Sequence, residues 1–473
     1  MALSVRELCT LTATQAIAAF KAGSLSPVAL MEATLARIEA VNPALNAFTE
    51  VHAERALDQA RAAEMAYARG EARPLEGIPV AIKDFHPVAG ELTTFGSKAF
   101  ADHRPTRSAP TVARLLDAGG IMHARTTTPE FAYAPITASP LWGVTRNPWS
   151  LEHAPGGSSG GAGAALAAGM TVLADGTDAG GSVRIPAAAC HVVGYKPPFG
   201  RNPLDVDHPI ESLLHYGPMT RSVGDAALTQ NLMSGAHGDD MCSLRERVVL
   251  PESHAPIEGW TVGFSMDLGM FEIDPEVARN TEAAVEVFCR LGCTIREVTP
   301  DWAGFDLPHP YLRYWEGMAA SSLGGMVDEW RDEMDPYMVG IIENGRAHTA
   351  GTLYRCNIVR GAMYRSLAPI LDECDVLVCP SLAVPTVAAE HDCGAEDFRV
   401  NGKPIHAYLG WNLCYPFNMV SQCPVIAVPS GLSSAGLPTG IQIVGRTYDD
   451  LSVFQAAAAY EAANPWRDVL PPL

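Results

Sequence analysis

The sequence predicts an α/β protein with a covered, mostly parallel sheet, and three observations carry that reading. Segments of helical spacing alternate with short, nearly continuous apolar runs along the whole length, as when helices cover both faces of a sheet. Hydrophobic residues make up 48% of the 473 and charged residues 18%, which suits a large core and not a disordered chain. No Pro/Gly/Ser linker, charge block or internal repeat divides the chain. Residues 1–473 therefore read as one domain, with about 230–370 as a helical subregion within it.

The elements follow in order. The first 70 residues read as helices. "SPVALMEATLARIEAV" offers Ser26 as N-cap and Pro27 at the first helical position, then apolar residues at helical spacing. "GIPVAIKDF" (Gly77 to Phe85) is a buried strand, "APTVARLLDAGG" a helix ending on glycine, and "IMHAR" the next strand. Beyond a glycine-rich centre, "TEAAVEVFCRLGCTIREVTP" and "LAPILDECDVLVCPS" each read helix then strand. "PVIAVPSG" and "GIQIVGR" are two further buried strands.

The net charge is −20, from 53 acidic and 33 basic residues, so nucleic acid and anionic membranes are not expected partners. Eleven cysteines form no CxxC pair; Cys289 with Cys293 and Cys374 with Cys379 are merely near in sequence. Reduced thiols in a cytoplasmic protein are expected. "MALSVRELCTLTATQAIAAF" carries Glu7 and no basic-then-apolar order, which predicts no signal peptide. The longest apolar run, 161–174, is shorter than the roughly 20 residues of a membrane span.

Residues 154–161, "APGGSSGG", are the densest glycine and serine cluster. A P-loop would need Lys and Ser/Thr where Ala162 and Gly163 stand, and no G-x-G-x-x-G triplet fits, so nucleotide binding fails. Gly157 to Gly161 satisfies the G-x-S-x-G elbow with Ser159 central, but "WSLEHAPG" before it is not an apolar strand. A second segment, "DGTDAGGSVRIPAA", sets Gly180 and Gly181 before Ser182 and brackets them with Asp178 and Arg184. Successive glycine amides before a serine suit an oxyanion hole; an ion-paired turn with an exposed serine fits the same letters. Lys83 ends the apolar run "GIPVAI". Buried there, its amine would lose its charge and could act as a base; alternatively it snorkels or pairs with Asp84. Together the lysine and the serines suggest Ser–Lys chemistry.

On these residues the sequence resembles the amidase signature hydrolases. The resemblance rests on "GGSSGGAGAALAAG", "GTDAGGSVRIPAA" and "GYKPPFGR", and extends to "GIPVAIKD", "TPEFA", "GVTRNPW", "HYGPMTRSVGDAA" and "PFNMVSQCPVIAVPSG". Ser158 and Ser182 are 24 positions apart, as in the family. The resemblance implies a single α/β domain with a mixed, twisted sheet of about eleven strands layered by helices. It implies Ser182 as nucleophile, Lys83 as general base and Ser158 as the bridge between them, after a cis Gly157–Ser158 bond. The amides of Ala179, Gly180, Gly181 and Ser182 would form the oxyanion hole, with Ser159, Asp178 and Arg184 as supports. No cofactor or metal is implied, and the sequence neighbours Asp205, His208, Glu211 and His215 are not read as a metal site.

The expected partner is a small-molecule substrate, with a homodimer a candidate assembly. The segment 302–338 holds Trp302, Phe305, Tyr311, Tyr314, Trp315, Trp330 and Tyr337 with only Arg313 and Arg331 as basic residues. These aromatics either pack as helix core or line the pocket. In the second case the substrate is an apolar or aryl amide, with carbamate (urethane) or ester cleavage also expected. Phe131, Tyr133 and Gly157 are the expected substrate contacts. Phe85 and His86 in "KDFH", "ARTTTPEF" and Pro198 depart from the family pattern and bear on specificity. Two other functions stay open: the amidase subunit of a glutamine-dependent tRNA transamidation complex, and a non-catalytic binding protein on this fold.

Overall fold

Helix signals read from the sequence are realised at the atomic level. In the computed structural model, which describes residues 4–208, 210–305 and 308–473, the Ser26 hydroxyl accepts the Val28 N–H at 3.0 Å and Pro27 opens the helix Pro27–Leu45. The first 70 residues are not helical throughout, however. A strand, β1 (Phe48–Val51), stands between helices Pro27–Leu45 and Ala53–Arg69 and forms one edge of the sheet.

Ten more strands join β1 in a single sheet: β2 (Pro79–Lys83), β3 (Ile121–Thr126), β4 (Leu173–Asp178), β5 (Val193–Lys196), β6 (His215–Thr220), β7 (Thr261–Phe264), β8 (Thr294–Glu297), β9 (Val376–Pro380), β10 (Val425–Leu432) and β11 (Pro438–Val444). Their spatial order is β1-β3-β2-β4-β6-β5-β10-β11-β9-β7-β8. The eleven-stranded mixed sheet agrees with the fold that the resemblance implied; the mostly parallel sheet read from alternation alone does not hold. Parallel pairs lie towards the two ends, β2 with β3 and β4, and β7 with β8 and β9. Helix Pro110–Asp117 makes the β2–β3 crossover and helix Pro275–Arg290 the β7–β8 crossover, which are the helix–strand alternations legible in the sequence. The centre is antiparallel: β4–β6, β6–β5, β5–β10, β10–β11 and β11–β9. A hairpin needs only a short connection such as Ser433–Leu437, and the apolar letters of β10 and β11 do not report direction.

Residues 230–370 are not wholly helical either. They carry the helices Pro275–Arg290, Pro308–Trp330 and Pro336–Arg346 and most of Ala350–Glu373, but also β7 and the edge strand β8. Among the described residues no helix is long and apolar enough to cross a membrane. All eleven cysteines are free thiols.

Parallel pairing of β2 with β4 (Val80 to Leu173, Ala81 to Ala174) puts their C-terminal ends on the same edge of the sheet. That is where open α/β sheets carry their sites. Lys83 ends β2, and Asp178 ends β4 four residues before Ser182.

Candidate active site

Lys83 sits at the floor of the site, fully buried. Its backbone N–H donates to Asp175 Oδ1 at 2.8 Å, and its Nζ contacts three hydroxyls: Ser158 Oγ at 2.7 Å, Thr177 Oγ1 at 2.7 Å and Ser159 Oγ at 3.0 Å. Burial pushes the amine well below its ordinary pKa, and the charges of Asp175 and Asp178 oppose that only in part. A neutral amine has two N–H bonds and one lone pair. It can therefore donate to two of the hydroxyls and accept the proton of the third. Snorkelling and a Lys83–Asp84 pair are both excluded by this geometry; Asp84 instead accepts from the Thr94 backbone at 2.8 Å.

Ser158 and Ser159 stand just before helix Gly160–Ala167, and the Gly157–Ser158 bond is cis. The Ser159 N–H donates to the Ser182 carbonyl at 3.2 Å, tying the two serine segments together. Ser159 Oγ reaches Lys83 and the backbone of Thr177, with no histidine among its partners, so the elbow reading has no base here. Ser182, in contrast to its buried neighbours, is partly exposed and lines a cavity.

The loop before Ser182 is held by Asp178. Its carboxylate accepts a bidentate pair from Arg184 (Nε to Oδ2 and Nη2 to Oδ1, both 2.9 Å) and the Gly181 N–H at 2.9 Å. Burial alone would raise this carboxyl, but the Arg184 guanidinium and the hydrogen bonds around it hold it well below the carboxylate range. Arg184 also reaches Asn418 Oδ1 at 2.7 Å, Gln442 Oε1 at 2.9 Å and the Cys414 carbonyl at 3.0 Å. Gly181 thus departs from its expected role, because its N–H is already committed to Asp178. Among the described residues the N–H groups of Ala179, Gly180 and Ser182 have no such partner. Arg184→Met is expected to cost about 3–5 kcal/mol of stability, since it leaves the buried Asp178 charge uncompensated. Urea unfolding checks it; a loss below about 1 kcal/mol would contradict the account.

The expected substrate contacts separate. Phe131 is 5% exposed and packs against Phe95, Phe100 and an apolar cluster with Val327 and Met338, so it belongs to the core and not to the cavity. Gly157 is also buried, and a Cβ on it would overlap the Ile136 backbone; the missing side chain serves packing. The Tyr133 ring lies against Trp315, tilted by 35° with centroids 4.2 Å apart, and lines a neighbouring cavity of about 130 Å³ with Tyr337 and Met338. The cavity at Ser182 encloses about 10 Å³, walled by Ile185, Tyr311, Trp315, Tyr408 and Leu409 among others. That is room for about one water. The aromatic segment therefore divides: Tyr311 and Trp315 face the serine, while Trp302 is fully buried core whose indole donates to the Met363 carbonyl at 3.1 Å.

Phe85 and His86 lie beside Lys83. The amine is 5.8 Å from the Phe85 ring centre, and the fully buried His86 has Nε2 3.5 Å from Asp175 Oδ2. Asp205, His208, Glu211 and His215 do not converge: Asp205 bonds His208 at 2.8 Å, Glu211 accepts the Leu213 N–H, and His215 turns to the Asp178 and Ser421 carbonyls. Among the described residues one group, Glu50, His52 and Glu91, has spacing that could hold a metal; it lies away from Ser182, and Glu91 is ion-paired with Arg55. Sequence reasoning misses Thr177, Asp175, Asn412 and Asn418. Strand alternation could have found the first two, because Asp175 and Thr177 share one face of β4 and both reach Lys83.

The model of the family described as Amidase matches residues 29–454. An acylamidase of Rhodococcus erythropolis is 36% identical over 478 residues, covering 99% of this chain and 98% of that protein. A glutamyl-tRNA(Gln) amidotransferase subunit of Chloroflexus aggregans is 33% identical over 501 residues, covering 99% of each. Among solved structures, a bacterial aryl acylamidase belonging to the amidase signature enzymes superposes with a TM-score of 0.90 at 29% identity, covering 97% of both chains.

Proposed function

The chain belongs to the amidase signature family of amide-hydrolysing enzymes, and from that membership we propose that it cleaves small apolar or aryl amides through an acyl-enzyme on Ser182. The observation that carries this reading is the 2.7 Å contact of the buried, neutral-leaning Lys83 amine with Ser158, one segment away from a serine that lines an aromatic-walled cavity.

In the proposed cycle Lys83 Nζ accepts the Ser158 proton as Ser158 Oγ accepts that of Ser182. Ser182 Oγ then attacks the amide carbonyl, and the N–H groups of Ala179, Gly180 and Ser182 receive the oxyanion. Ser158 returns a proton to the departing nitrogen, the C–N bond breaks, and Lys83 reprotonates Ser158. Water, deprotonated along the same route, attacks the ester carbon and releases the carboxylic acid and Ser182. Asp178 and Arg184 hold the loop, and Ser159 and Thr177 fix the lysine. Carbamates carry an alkoxy group on the acyl carbon and enter the same cycle: C–N cleavage releases the amine and leaves an alkoxycarbonyl group on Ser182, which water releases as a carbonic acid monoester that breaks down to the alcohol and CO2.

The aromatic wall of Tyr311, Trp315 and Tyr408 supports a substrate with an apolar or aryl body, as does the acylamidase relative. A hydrolysis screen over aliphatic amides, anilides, aryl carbamates and glutamine tests this. Anilides are expected to lead by about tenfold or more in kcat/KM, a margin that burial of a ring in such a pocket can supply. A lead by glutamine would overturn the substrate reading in favour of an amidotransferase component, the function named for the Chloroflexus relative.

A further inference from the structure

Every peptide unit between Asp178 and Ser182 has its carbonyl held. Asp178 O accepts from Asn418 Nδ2 at 2.9 Å and lies 3.0 Å from His215 Nδ1. Ala179 O accepts from the Tyr311 hydroxyl at 3.3 Å, and Gly180 O from Asn412 Nδ2 at 2.8 Å. Gly181 O accepts the Ile185 N–H at 2.6 Å. A trans peptide is planar, with its C=O antiparallel to the next residue's N–H. Holding the Ala179 carbonyl therefore aims the Gly180 N–H, and Tyr311 is the side chain that holds it.

Two further features bind Tyr311 to this task. The ring is 1% exposed and fixed between Tyr415 at 5.0 Å and Trp315 at 6.0 Å, so the hydroxyl has little freedom. A Cβ on Gly180 would overlap that hydroxyl, whereas Gly180 has no positive φ of its own; among the loop glycines that belongs to Gly181, at 111°. Glycine at 180 thus makes room for the tyrosine's oxygen and is not needed for backbone freedom.

We propose that Tyr311 is a positioning residue for oxyanion stabilisation: its hydroxyl, by gripping the Ala179 carbonyl, points the Gly180 N–H at the developing charge. The inference rests on the acyl-enzyme reading of Ser182. It also gives helix Pro308–Trp330 a part in the reaction besides walling the cavity.

Tyr311→Phe keeps the ring and removes the grip. The expected result is a fall in kcat of about tenfold or more, less than the roughly 10²–10³ for loss of an oxyanion donor itself, with KM within about twofold. Affinity for a peptidyl-type aldehyde or an aryl boronic acid, which become tetrahedral on the serine, should fall by a similar factor, with the melting temperature unchanged. Gly180→Ala, which crowds the hydroxyl off the carbonyl, is the second variant. Its penalty should be smaller in the Tyr311→Phe background than alone. Wild-type kcat in Tyr311→Phe, a change in KM only, or additive penalties would overturn the grip while leaving the acyl-enzyme reading intact. That reading fails separately, if Ser182→Ala retains turnover.

Discussion

Replacing Ser182 by alanine is expected to lower kcat/KM by about 10⁴- to 10⁶-fold, the scale seen when a catalytic serine is removed from an otherwise intact site. The loss should be purely chemical. Ser182 is partly exposed at the cavity, and its carbonyl, which accepts the Ser159 N–H, is unchanged by the substitution. The melting temperature should therefore stay close to that of the unsubstituted protein. Mass spectrometry after treatment with a sulfonyl fluoride should find the adduct on the peptide containing Ser182, and none in Ser182→Ala. Labelling at Ser158 or Ser159 instead, or activity within tenfold of the parent, would sink the assignment.

Lys83→Met is expected to remove about 10³-fold or more of the activity, since Ser158 loses its base while the volume at the site is nearly kept. Its second signature is in pH. Because the folded-state pKa of Lys83 lies well below its ordinary value, the unfolded chain binds more protons than the folded one between those two values. In that window the stability of the parent protein rises with pH, and it falls as pH drops towards the folded-state pKa. Activity runs the same way, with kcat/KM falling as the amine is protonated. Lys83→Met should lose this pH slope in urea unfolding. Its stability at one pH is a poorer readout, because Ser158, Ser159 and Thr177 lose a partner while the desolvation cost disappears. An unchanged slope, or an activity base with the pKa of a solvated lysine, would refute the buried-amine account.

Much of the site is legible in the residue pattern alone. Lys83 stands out because a lysine closing an apolar strand is physically conspicuous, and Asp178 with Arg184 because opposite charges six residues apart flank a glycine pair. The expectation for Gly181 fails for a reason the letters do not contain: which glycine amide stays free depends on where the Asp178 carboxylate turns, and it turns back on Gly181. The expectation for Phe131 fails because an aromatic residue in a pocket wall and one in a core have the same composition. Burial against Phe95 and Phe100 decides between them. Tyr311, Asn412 and Asn418 carry no local signal for this role, since they lie from 132 to 240 residues from the carbonyls that they hold.

What the sequence determined by itself was therefore the local chemistry and the family. Glycine spacing, the serine pair, the capped helices and the apolar runs are set by interactions within a few residues. What only the tertiary structure decided was direction and aim. Antiparallel pairing at the centre of the sheet, the two strands within 230–370, and the carbonyls gripped around Ser182 all depend on segments far apart in the chain. Hydrogen-bond direction and side-chain orientation are fixed only when such segments pack, since until then each donor and acceptor is equally well served by water.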